Sequence, residues 1–237
     1  MRHPGPSRSL QPLAWPSDQA LPPLSATQLR ETSGNGLLLL LLRHDHALNP
    51  DRLATLRGRL TADEGARLEA YRRPSDRDLF LLGRSCLRQL LGLWLDQPPR
   101  SVAIEQGPHG KPFCPGGPQF NVSHSGSLIL LGLHASQPVG VDVERQRPDL
   151  AWEPLARRVL SDREVEQLLA RPVDDRPAGF LEAWCALEAR LKASGLGFAG
   201  LQAMQAASLD QVRPSRSLWA VQVPEPYRAA AALAAPG

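Results

Sequence analysis

The chain has 237 residues, 42% hydrophobic and only 5% aromatic, with a net charge of +3 and a pI near 9.0. That length fills one domain or two small ones with a core of Leu, Val and Ala, and the mild basicity suits an acidic or phosphorylated partner without demanding nucleic acid. Three scattered cysteines, Cys86, Cys114 and Cys185, argue against a disulfide framework or a zinc site. The leucine run 37–42 falls well short of the roughly 20 residues that span a bilayer, and the N-terminus carries no signal pattern, so the expected compartment is the cytoplasm.

Residues 1–33 are rich in Pro, Ser and Gln, show no periodicity, and are expected to be mostly disordered. GLLLLLL (36–42) predicts a buried strand. Asn49-Pro50 is a cap followed by proline at the first helical position, predicting a helix to about Arg59. Thr61 and Glu64 form a capping box for a helix to about Tyr71. Ser75 is the expected cap of the next helix, whose stripe runs through Leu79, Leu82, Cys86, Leu87, Leu90 and Leu91. SVAIEQ (101–106) predicts a strand and GPHGKP (107–112) a turn-rich loop. FNVS (120–123), SLILLGLH (127–134) and PVGVDVE (138–144) predict strands, the last two joined by a short hairpin-like turn. Ser161 and Glu164 form a second capping box. A helix over about 178–194 ends at Gly195, and 218–223 and 229–234 close the chain as strands.

Offsetting the chain by 100 residues superimposes Thr61 on Ser161, Glu64 on Glu164, Phe80 on Phe180 and Leu87 on Leu187. The expected organisation is therefore two similar halves, 34–136 and 137–237, each packing helices on a small sheet, with a ligand in the cleft between them.

Three constellations carry chemistry. In VGVDVE (139–144), alternation puts Asp142 and Glu144 on one strand face. Two like charges there imply either a wet edge strand or a cation between them. With no His or Cys cluster nearby, hard oxygen ligands favour Mg²⁺. In WCALEARLKASG (184–195), Trp184, Glu188 and Lys192 share a helix face; they read either as an ordinary Glu–Lys helix pair or as a third acid with a phosphate-binding lysine. Only Lys111 and Lys192 among 27 basic residues are lysines, as expected of an arginine-biased chain or of sites that need a compact ammonium. In GPHGKPF and FNVSHSG, Lys111, Ser123 and His124 offer a cation and two short polar groups at strand ends, although neighbours on a strand point to opposite faces.

GKPF, FNVSHSG, VGVDVE and WxxxE…LKASG, in this order, resemble the 4′-phosphopantetheinyl transferases of the Sfp-like class, from roughly Leu37 to Gly197. The resemblance implies a pseudo-two-fold α+β fold in a single chain. It implies Mg²⁺-dependent transfer of phosphopantetheine from coenzyme A to a serine of an acyl or peptidyl carrier protein, the carrier being acidic and the enzyme a monomer. By position it makes Asp142, Glu144 and Glu188 the metal ligands, with Glu188 also a candidate base and Lys192 a contact to the coenzyme A phosphates. Lys111 and Pro112 match the nucleotide and adenine contacts, and Ser123 and His124 the pair at the 3′-phosphate. An upstream arginine joins them, Arg77 before Arg84. The chain departs from the pattern at Leu187, where a lysine is common, and at Arg72 and Arg73, where some relatives place lysines. A non-catalytic carrier-binding protein stays open as an alternative because of Leu187. A metal-dependent nuclease is less favoured, because Gln146 stands where its lysine would be.

Overall fold

The computed structural model describes residues 9–16, 36–44, 47–195 and 217–234. The chain divides into two compact units. One runs from Pro12 to Gln137, and the other takes the chain from Pro138 on together with the segment ending at Gln11.

The Pro12–Gln137 unit contains strands β2 (Leu13–Pro16) and β3 (Leu37–Arg43), after β1 (Ser9–Leu10) of the other unit. Helices α1 (Pro50–Arg57), α2 (Ala62–Glu69) and α3 (Pro74–Leu95) follow. The small hairpin β4 (Glu105–Gln106) and β5 (Pro112–Phe113) precedes β6 (Gln119–Ser125) and β7 (Leu128–His134). The main sheet has the order β2-β3-β7-β6. Leucines of the 37–42 run alternate faces, and Leu38, Leu40 and Leu42 enter one core with Leu82, Leu90 and Leu91 of α3. Asn49 caps α1, its side chain accepting from Arg52 N at 2.8 Å, and Thr61 and Glu64 close a true capping box on α2.

The second unit contains β8 (Val139–Arg145), helices α4 (Trp152–Val159), α5 (Asp162–Leu169) and α6 (Arg176–Ser194), then β9 (Leu218–Val221) and β10 (Tyr227–Leu233). Its sheet has the order β1-β9-β10-β8. Ser161 and Glu164 form the capping box of α5. Helix α6 stops at Gly195, which adopts φ +72° and donates to Leu191 O at 3.2 Å.

Apart from the short parallel strands β1 and β2, both sheets follow one plan. The first long strand pairs antiparallel with the third, and the third with the second. The capping-box helices fall at 62–69 and 162–169, and each unit then runs a long helix before its last two strands.

Four expectations are corrected. Residues 9–16 form two strands, because Trp15 is buried and Leu13–Pro16 pairs parallel with Leu40–Arg43; the rest of 1–33 lies outside the described residues. Helix α3 starts at Pro74, with Arg73 at the cap position and Ser75 inside the first turn; proline needs no N–H partner there and presets the helical φ. Of 101–106 only Glu105 and Gln106 are strand, since only they find partners, at Phe113 and Pro112. Strands β7 and β8 are not a hairpin. The hairpin is β6 with β7, and β8 pairs instead with β10, placing Asp142 opposite Ala230. Turn residues mark where a chain reverses but do not choose a partner for two apolar strands.

Candidate active site

Strand β8 lies at the edge of its sheet, as a wet pair of acids would require, yet Asp142 is only 2% exposed. Helix α6 covers it. The face that carries Asp142 and Glu144 also carries Gly140, and a Cβ on Gly140 would run into the helix backbone at Ala189 O and Ala193 N. A glycine is therefore required for the helix backbone to lie directly on the strand. The surrounding residues are small for the same reason: Cys185, Ala189 and Ala193 from α6 pack with Ala230 and Ala232 of β10.

This close seating brings the predicted residues together. Lys192 Nζ donates to Asp142 Oδ1 at 2.6 Å. Lys192 belongs to the last turn of α6, where the helix dipole favours a cation. Burial pushes the Glu188 carboxyl above its usual range, Lys192 opposes this, and the charges of Asp142 and Glu144 add to the rise. The Cys185 thiol beside them is driven far up by burial and by Asp142, so it is an inert packing group and not a nucleophile. Among the described residues no three His, Cys, Asp or Glu side chains are already arranged as a metal cage. Mg²⁺ does not need one, because it commonly takes one or two carboxylates and completes its shell with water and substrate phosphate. The buried Asp142 carboxylate, which already holds the Lys192 ammonium, and the half-buried Glu144 and Glu188 are hard oxygen donors that fit such a cation.

Leu187 is explained by its surroundings. It packs with Ala156, Val159, Leu160, Val165 and Leu168 in the apolar cluster under α4 and α5. Its side chain serves that core, while Cys185 and Ala189 face the sheet.

The Pro12–Gln137 unit holds a cavity of about 530 Å³ lined by Arg67, Tyr71, Phe80, Arg84, Pro112 and His124, among others. His124 projects from β6 on the side of Phe120 and Val122, towards α3. Ser123 is buried on the opposite face with Asn121 and is not part of the lining. Lys111 sits between two lining residues, Gly110 and Pro112, and Gly110 takes φ +78° at the turn. Burial pushes the Lys111 ammonium down to about 8.

Of the two candidate arginines, Arg84 lines the cavity and Arg77 does not. The lining positions of α3 are Asp76, Leu79, Phe80, Gly83, Arg84 and Leu87, a helical stripe that Arg77 misses. Arg72 and Arg73 are exposed and also fall outside the lining. Sequence reasoning missed Arg67, Tyr71 and Phe80. The Tyr71 and Phe80 rings lie 5.3 Å apart, and the Arg67 guanidinium sits 5.0 Å from the Phe80 ring centre. The i, i+4 spacing of Arg67 and Tyr71, in a chain with few aromatics, was the available signal.

A family profile described as the 4′-phosphopantetheinyl transferase superfamily matches residues 138–232, the unit that carries the acids. The chain is 35% identical to the 4′-phosphopantetheinyl transferase HetI of Nostoc sp. over 161 residues, 66% of this chain and 68% of the relative. It belongs to the 4′-phosphopantetheinyl transferase family. A putative 4′-phosphopantetheinyl transferase of Synechocystis sp. is 38% identical over 163 residues, 67% of this chain and 63% of the relative. The 4′-phosphopantetheinyl transferase Sfp of Bacillus subtilis is 31% identical over 119 residues, 49% of this chain and 52% of the relative. The chain thus spans about half to two thirds of the length of these transferases. It is mixed α and β, and no described helix is long and apolar enough to cross a membrane.

Proposed function

We propose that the protein transfers the 4′-phosphopantetheine group of coenzyme A to a serine of an acidic acyl or peptidyl carrier protein, converting the apo carrier to the holo form. The observation that carries this reading is the seating of α6 on β8, which gathers Asp142, Glu144, Glu188 and Lys192 in a member of this family.

Asp142, Glu144 and Glu188 would hold Mg²⁺, which when bound supplies positive charge to the coenzyme A pyrophosphate and to the charge developing on the leaving group. Lys192 would add an ammonium to the same phosphates. Glu188 would accept the proton of the carrier serine as its Oγ bonds to phosphorus. The P–O bond to the nucleotide then breaks, releasing adenosine 3′,5′-bisphosphate. Arg84 and His124 would meet the 3′-phosphate, Pro112 the adenine, and Lys111 the nucleotide phosphates, with Ser123 supporting the strand from its buried side.

The deciding experiment incubates apo carrier protein with coenzyme A and Mg²⁺ and weighs the carrier by mass spectrometry. A gain of one phosphopantetheine is expected. Carrier binding without any mass gain would favour a non-catalytic relative.

Two finer expectations follow from the cavity. His124→Ala should raise KM for coenzyme A about tenfold and that for dephospho-coenzyme A far less, the loss expected of one charge-assisted hydrogen bond. Equal losses with both cofactors would remove the 3′-phosphate role. Lys111 predicts a pH effect. Its ammonium is charged below about 8 and neutral above, so kcat/KM for coenzyme A should fall as pH rises through that value. Lys111→Arg, charged throughout, should abolish this alkaline limb. A limb that survives in the arginine variant assigns it to another group.

A further inference from the structure

Glu64 has two tasks. As the third residue of α2 it closes the capping box, its Oε2 accepting from Thr61 N at 3.0 Å. It also reaches two arginines of α3. Its Oε1 lies 3.2 Å from Arg84 Nε, and its Oε2 accepts from Arg88 Nε at 2.5 Å. Arg88 is structural: it is 3% exposed and donates to Pro99 O and Val102 O, both at 2.9 Å. Arg84 differs, because it lines the cavity with Arg67 and His124.

The two arginines are four positions apart on one helix face, where like charges repel. The Glu64 carboxylate removes that repulsion by giving one oxygen to each. Its pairing with Arg84 uses Nε, so neither terminal nitrogen of Arg84 is consumed by it. The charges of Arg84 and Arg88 in turn help hold the Glu64 carboxyl below its usual range, against its own burial.

The second unit provides an internal comparison. Its capping-box glutamate, Glu164, closes the cap of α5, its Oε2 accepting from Ser161 N at 2.9 Å and from Ser161 Oγ at 2.8 Å. At the 100-residue offset the positions of Arg84 and Arg88 fall on Trp184 and Glu188, so the second unit has no arginine at either.

We propose that Glu64 is a positioning residue for coenzyme A binding, holding the Arg84 guanidinium against the cavity for the ligand's 3′-phosphate. This rests on the transferase reading above. Glu64 need not touch the ligand; it fixes the group that does.

The test is calorimetric binding of adenosine 3′,5′-bisphosphate and adenosine 5′-monophosphate to the full chain. Glu64→Gln keeps a capping oxygen but removes the charge. It should weaken the bisphosphate about tenfold and leave the monophosphate within about twofold, as expected for loss of one charged contact. Added to Arg84→Ala, Glu64→Gln should cost nothing further, because the two residues act as a unit. Glu164→Gln controls for cap and stability loss and should change neither affinity. Equal weakening of both nucleotides, additivity with Arg84→Ala, or the same effect from Glu164→Gln would overturn the positioning role. If the wild-type chain binds neither nucleotide, the transferase reading fails, and this proposal with it.

Discussion

Asp142→Ala is expected to lower carrier loading by about a thousandfold while the protein still folds, the scale on which a preorganised charge contributes to a transition state. Asp142 is nearly buried, and its Oδ1 holds Lys192 at 2.6 Å. Removing it takes away an oxygen donor for the cation and frees the lysine from its counter-charge. The Lys192 side chain is 29% exposed, so the ammonium can turn to solvent without being stranded. Circular dichroism and a thermal melt check the fold, and mass-detected loading checks turnover. Near-normal loading by a folded Asp142→Ala protein would remove the metal assignment.

Gly140→Ala is expected to destabilise the second unit by about 3 kcal/mol and to cripple loading as well, at the upper end of the usual overpacking cost. The added methyl would meet backbone rather than a yielding side chain, at Ala189 O and Ala193 N. Helix α6 must move off the strand, carrying Glu188 and Lys192 away from Asp142. Denaturant unfolding measures the first effect. A variant as stable and as active as wild type would show that the helix seating does not set the site. Gly83→Ala is the contrast: its Cβ would meet Ile129 Cγ2 at an ordinary 3.5 Å, so little loss of stability is expected.

Much of this architecture was legible in the residues. Both capping boxes form as read, because Ser/Thr followed by Glu three positions later satisfies donors within one turn of the same chain. The common face of Asp142 and Glu144 follows from strand alternation, and the end of α6 from Gly195, which tolerates a left-handed backbone. These are local effects, complete within a few residues. The recurrence of helix positions near a 100-residue spacing was readable too, since it rests on cap and apolar patterns.

What needed the folded chain was every choice between distant partners. Strand β8 reads as a hairpin with its neighbour, yet it pairs with β10, more than 80 residues further on. Lys192 reads as a helix partner for Glu188, yet it reaches Asp142 on a strand. Arg77 and Arg84 are equivalent as letters, but only Arg84 lies on the helix stripe that faces the cavity. Gly140 is one more residue in a strand until α6 is laid on it. Periodicity and capping are decided within a turn or two of backbone, whereas pairing, burial and cavities are decided by which apolar surfaces exclude water together, and that depends on the whole chain.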